Sequence, residues 1–182
     1  MGIFDFLKKG KESDSEPLGD LTLDKMKPGD LVDYDLKTWE IDACHSYDWG
    51  DDDISYEWQL KSSDDVVYLQ KESDDEDDWS LNRSIHFNRL GSEIKDKILD
   101  SGDPPNEIVY EGTTYYLAET AGGHYLKDCK GPGQEMLSWS YEDDSGSKYL
   151  TIEQWGEDDF QASAGIAVEP YQFTNILPGN RV

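Results

Sequence analysis

Three runs of carboxylates, Asp51–Asp53, Asp74–Asp78 and Glu157–Asp159, are the residues of this chain that most resemble chemistry. Calcium needs roughly six to eight oxygens converging on one point, so Asp51, Asp52, Asp53, Asp74, Asp75, Asp77 and Asp78 are the candidate cation-binding residues. An EF-hand loop spaces its acids at alternate positions around a glycine turn; these acids are consecutive, and neighbouring side chains in an extended loop point apart. Solvated charge on hairpin tips, which also discourages edge-to-edge association, is the plainer expectation.

Cys44-His45 and the pair His124 and Cys129 could in principle make a two-cysteine, two-histidine zinc site. The spacing is unlike a finger, and adjacent strand residues face opposite ways, so core cysteines and surface histidines are expected instead. Neither cysteine sits in a glycine-rich elbow, and no phosphate loop or dinucleotide fingerprint is present, so no catalytic residue, metal or cofactor is expected. Trp49 and Trp155 each stand beside glycine and acids. Both are candidate anchors for a protein partner, with folding back over the end of a barrel as the alternative.

These residues must be carried by strands. Tyr56, Trp58 and Leu60 alternate with Glu57, Gln59 and Lys61, and Leu137, Trp139 and Tyr141 alternate with Ser138, Ser140 and Glu142, the pattern of half-buried strands. The two stretches are related: Trp58, Tyr68, Leu69 and Trp79 recur 81 positions later as Trp139, Tyr149, Leu150 and Phe160. Upstream the offset is 76, matching Pro28, Val32, Tyr34, Trp39 and Ile41 to Pro104, Ile108, Tyr110, Tyr115 and Leu117. The expected fold is all-β: two β-meander repeats, about 28–82 and 104–163, forming a sandwich or partly closed barrel with pseudo-twofold symmetry.

Residues 46–53 are expected to form a long loop, and an enlarged loop is expected from Gly122 to Gly133. Leu90, Ile94 and Ile98 recur every four residues, with Gly102 behind them, which predicts a short helix near 90–99 joining the halves. Residues 1–20 are expected to be an apolar segment and a polar linker ahead of a single domain over 21–182. Ile3, Phe4, Phe6 and Leu7 fall on one side of a helical wheel, to dock on a membrane surface or partner groove, or simply to pack as a terminus.

A balance of 16 basic against 41 acidic side chains gives a net charge of −25, which works against nucleic acid and anionic bilayers. Basic proteins, polyamines and divalent cations are the partners such a field attracts. Two cysteines without a CxxC give no disulfide framework, and no apolar stretch is long enough for a membrane span. A cytoplasmic protein is expected.

The stretches PGDLVDYDLKTWEI, YEWQL, VVYLQKE, DDWSL, IVYEGTTYYL and KYLTIEQW together resemble a bacterial family catalogued as a domain of unknown function, DUF4178, over roughly residues 20–178. The resemblance implies a soluble bacterial protein, often encoded near envelope-stress coat proteins, small membrane proteins and polyamine-synthesis enzymes. It carries over no functional residue. The expected function is a non-enzymatic accessory or adaptor protein that binds a protein partner at or near the inner membrane. The alternatives are an acidic inhibitor that masks a basic partner, and a cation- or polyamine-binding protein.

Overall fold

The structure, a computed structural model, describes residues 21–73 and 76–179. Its strands are β1 (Leu31–Tyr34), β2 (Lys37–Gly50), β3 (Asp53–Lys61), β4 (Val66–Ser73), β5 (Asp77–Ile85), β6 (Glu107–Tyr110), β7 (Thr113–Leu126), β8 (Gln134–Asp143), β9 (Lys148–Gly156), β10 (Asp159–Ala167) and β11 (Thr174–Leu177). The one α-helix among the described residues, α1 (Ser92–Ser101), lies between β5 and β6. No helix among the described residues is long and apolar enough to cross a membrane.

The strands make one antiparallel sheet that closes on itself, as the all-β expectation requires. Eight of them, in the order β2-β3-β4-β5-β10-β9-β8-β7, form a ring, closed where Ser46, Tyr47 and Asp48 pair with Leu126, Tyr125 and His124. The ring is not a regular barrel, because β2 and β7 each pair with three neighbours. Their first halves pair outward with β1 and β6, and their last residues pair with each other. A bulge between Ile41 and Ala43 in β2, and one between Leu117 and Glu119 in β7, lies where each strand changes partner.

The pairing registers of the first five strands and of the next five can be set side by side. Ile41 faces Leu60 as Leu117 faces Tyr141, and Tyr68 faces Asn82 as Thr151 faces Ser163. One strand departs from the ungapped offset of 81. Leu69 faces Trp58, but it is Ile152, not Leu150, that faces Trp139, so β9 is displaced by two residues. A slip of two keeps every side chain on its face, and Leu150 and Ile152 are both fully buried.

Two loop expectations are corrected. Residues 46–50 continue β2, and the reversal is a two-residue turn at Asp51 and Asp52, whose φ values of 52° and 68° suit the short polar side chains that tolerate the left-handed region. Likewise β7 runs through Gly122 and Gly123 to Leu126 before a 3₁₀ turn at Lys127–Cys129. In both strands, glycine and acidic residues that read as loop are held by pairing across the ring.

The apolar residues pack outside the ring, in two cores. Trp39, Ile41, Trp58, Leu60, Val67, Leu69, Trp79 and Leu81 form the first, covered by Leu23, Met26, Val32, Val168 and Phe173. Tyr115, Trp139, Tyr141, Leu150 and Ile152 form the second, covered by Ile108 and Tyr110 and by Phe87, Leu90, Ile94 and Ile98 of the helical segment. The helix thus roofs the second core, and it ends at Gly102, whose left-handed φ of 88° lets its N–H reach the Ile98 carbonyl. The two central tryptophans do the same work in each half. Trp58 Nε1 donates to the Met26 carbonyl at 3.0 Å, and Trp139 Nε1 donates to Asp103 Oδ1 at 3.1 Å, tying down the segment that leads into each run of strands.

Candidate functional site

With the apolar faces turned outward, the alternate faces turn into the ring, and they are polar. One rung of the first half reads His45, Glu57, Gln70, Ser80; the matching rung of the second reads Ala121, Ser138, Glu153, Gln161. These residues, Ser80 excepted, line a cavity of about 580 Å³. That is the size of a small-molecule site.

Seven carboxylates line the cavity, from Asp53, Glu57, Glu72, Asp78, Glu119, Glu153 and Asp159, while no lysine or arginine among the described residues does. Two lie deep. Burial, and then the charge of Glu153, push the Glu57 carboxyl up to about 8, against the opposing effect of the Tyr47 hydroxyl, which donates to Oε2 at 3.4 Å. Burial pushes Glu153 up to about 7, partly offset by the neighbouring Trp155 indole. That indole lies outside hydrogen-bonding geometry, and its buried Nε1 has no partner among the described residues. Glu72 is raised too, by burial first and by Glu119 and Asp78 next. Burial is the main cause for both carboxyls, and no lysine or arginine in the described lining of the cavity offsets it.

Aromatic rings gather at the seam beside this pair. Tyr47 stacks on Trp49 at 5.6 Å, Tyr125 sits 5.3 Å from Tyr47, and Trp155 meets Tyr125 edge-on at 5.3 Å. Trp49 is fixed by Nε1 donating to Ser55 Oγ at 2.9 Å. Its ring lies so close to β7 that a Cβ at Gly123 would be 2.6 Å from it, so glycine is required there for contact rather than for backbone freedom. Burial lowers the pKa of His45, and its Nδ1 accepts from the Asp128 N–H at 3.1 Å, which leaves the proton of the neutral ring on Nε2.

The structure sorts the sequence candidates. Trp49 and Trp155 are half-buried strand residues that line the cavity together, not loop residues. Asp53 and Asp78 also line it. Asp51 and Asp52 make the exposed turn, and Asp77 is ion-paired to Lys71 at 2.9 Å. Ile3, Phe4, Phe6, Leu7, Asp74 and Asp75 lie outside the described residues. No three His, Cys, Asp or Glu side chains among the described residues converge as a metal site. The burial expected of the four Cys and His residues holds only in part: His124 is exposed as expected, Cys44 is half-buried, and His45 is buried and Cys129 exposed against expectation. Glu57, Glu153, Tyr47 and Tyr125 went unsingled by sequence reasoning, although Glu57 stands in the very alternation that defines β3. Its face reads as solvent unless the ring is known to close.

A family model described as Domain of unknown function (DUF4178) matches residues 27–170. The chain belongs to this family. The match runs from the turn before β1 to just past β10, so the DUF4178 match holds the whole ring and leaves out Leu23 and Met26, which cover the first core, and β11. The DUF4178 chain is 24% identical to an uncharacterized protein of Aquifex aeolicus (strain VF5), with 98% of this chain and 99% of the relative covered. No solved structure matches the chain.

Proposed function

We propose that this protein is a non-enzymatic binding protein that receives a small organic cation in the lumen of its ring. One observation carries the reading: a cavity of about 580 Å³ collects seven carboxylates and no lysine or arginine among its described lining, with aromatic faces beside the two deepest acids. An ammonium group would supply the missing counter-charge to Glu57 and Glu153, and rings of tyrosine and tryptophan attract cations through their negative faces. The arrangement suits an amine better than calcium, which needs more converging oxygens than any point here offers.

The test is a thermal-shift and calorimetric series with spermidine, tetramethylammonium, a neutral sugar and a dicarboxylate at fixed ionic strength. A ligand at one hundred times its Kd stabilises by about 2.7 kcal/mol, or roughly 5–10 °C in Tm. Amines should stabilise the wild type and not Glu57→Gln/Glu153→Gln, which keeps the acidic surface and so removes non-specific attraction from the comparison. A flat Tm, or a response to the sugar or the dicarboxylate alone, defeats the reading.

A second reading, an accessory protein with a protein partner at the inner membrane, is supported by the apolar N-terminal segment and by Leu36 and Tyr171, the most exposed large apolar side chains among the described residues. Fractionating cells that express the chain with and without residues 1–10 tests its membrane part; two wholly soluble distributions would sink it. Masking of a basic partner by the acidic surface predicts binding that weakens steeply with salt.

A further inference from the structure

The cysteines were given no role by the sequence, yet the ring brings them into contact. Cys44, half-buried in β2, and Cys129, exposed in the turn after β7, are 85 positions apart, with sulfurs 3.6 Å from each other. They sit beside the seam where three rungs close the ring, Cys44 two residues before Ser46, where that pairing begins, and Cys129 three after Leu126. The turn is docked on β2 by successive residues: the Asp128 N–H on His45 Nδ1 and the Cys129 thiol on the Cys44 carbonyl at 3.5 Å. Asp128 and Cys129 both hold φ of 54°, a strained conformation for two successive non-glycine residues that persists where the surroundings impose it.

We propose that Cys44 and Cys129 form a reversible disulfide that latches the β2–β7 seam, with a small disulfide such as oxidised glutathione as the oxidant. A bonded pair needs sulfurs about 2.05 Å apart, so the gap closes by side-chain rotation and a small shift of the turn. Cys129, open to solvent, attacks one sulfur of glutathione disulfide and releases one glutathione thiolate. Cys44 then displaces the second glutathione from the mixed disulfide, and its proton goes to the departing thiolate. Two protein thiols and one glutathione disulfide become one protein disulfide and two glutathiones. Burial pushes the Cys44 thiol up to about 12, which suits it to the second step, where the mixed disulfide is already presented to it, and not to the first.

The full-length protein is equilibrated in glutathione buffers from reducing to oxidising, then read by intact mass, free-thiol titration, Tm and amide exchange. The expected oxidised form is a monomer lighter by two hydrogens, with no free thiol and a reductant-reversible rise in Tm of roughly 10 °C for a loop of this length. Amide exchange at Tyr47 and Tyr125 slows with it. Cys44→Ser accumulates a stable glutathione adduct at Cys129, whereas Cys129→Ser leaves Cys44 unmodified. A persistent adduct in the wild type, a disulfide-linked dimer, or two thiols that stay free under oxidation each overturns the pairing. A disulfide that forms without changing Tm or exchange overturns the latch.

Discussion

Glu57 of β3 and Glu153 of β9 line one cavity from opposite halves of the ring, and the charge on Glu153 is second only to burial in raising the Glu57 carboxyl to about 8. Two acids with no fixed cation between them are a cost to the empty protein. Their pKa values state how that cost varies with pH.

Stability should fall as pH rises through the window these acids define. Both have folded-state values above the ordinary glutamate value of 4.5, so between 4.5 and about 8 these two groups hold more protons in the folded chain than in the unfolded one. The unfolding free energy then decreases with increasing pH across that window. Glu57→Gln should raise stability at pH 8.5 by on the order of 2 kcal/mol and leave it nearly unchanged at pH 4.5. Chemical denaturation of both proteins across this range measures it; a variant less stable at pH 8.5 refutes the assignment.

Cation affinity should move the opposite way. An ammonium ligand requires the ionised carboxylates, so binding of spermidine should strengthen as pH rises from 6 to 8.5 and should release protons near neutrality. Calorimetry in two buffers of different ionisation enthalpy counts those protons. A pH-independent affinity would place the ligand elsewhere.

Gly123→Ala should cost about 1–3 kcal/mol, because the new methyl meets the Trp49 ring and the Asp48 carbonyl, and strand pairing leaves little room to retreat. Fluorescence of the displaced indole should change with it. Trp58→Phe should cost about 1 kcal/mol by removing the hydrogen bond to Met26, beyond any packing loss.

Salt should stabilise this protein. With a net charge of −25, compact folding concentrates like charges, and the surface pairs such as Lys37–Asp64 are too exposed to offset that. Raising sodium chloride to about 0.5 M should increase Tm, since screening then reaches only a few ångströms. A lower Tm at high salt would mean attractive pairs dominate.

Much of the scaffold was legible in the residues. Alternation located β3 and β8, and the four-residue spacing of Leu90, Ile94 and Ile98 located α1. Glycine and aspartate misled the reading at Trp49-Gly50 and at Gly122-Gly123, because a local preference for turns is weaker than pairing across a closed ring. The site was hidden for a different reason. Glu57, Gln70 and Ser138 occupy polar positions that a single strand assigns to water, and only closure makes that water-facing side an interior. The carboxylate runs drew notice through their number, while the two acids with the largest shifts stand singly among uncharged neighbours in β3 and β9.

Because both apolar cores lie outside the ring, the residues that line the lumen contribute little to holding the fold together. Their identities are therefore free to change without unfolding the protein, which is not true of a barrel whose core is its interior. Swapping the uncharged Gln70 or Ser138 should change what the lumen accepts while Tm stays nearly constant.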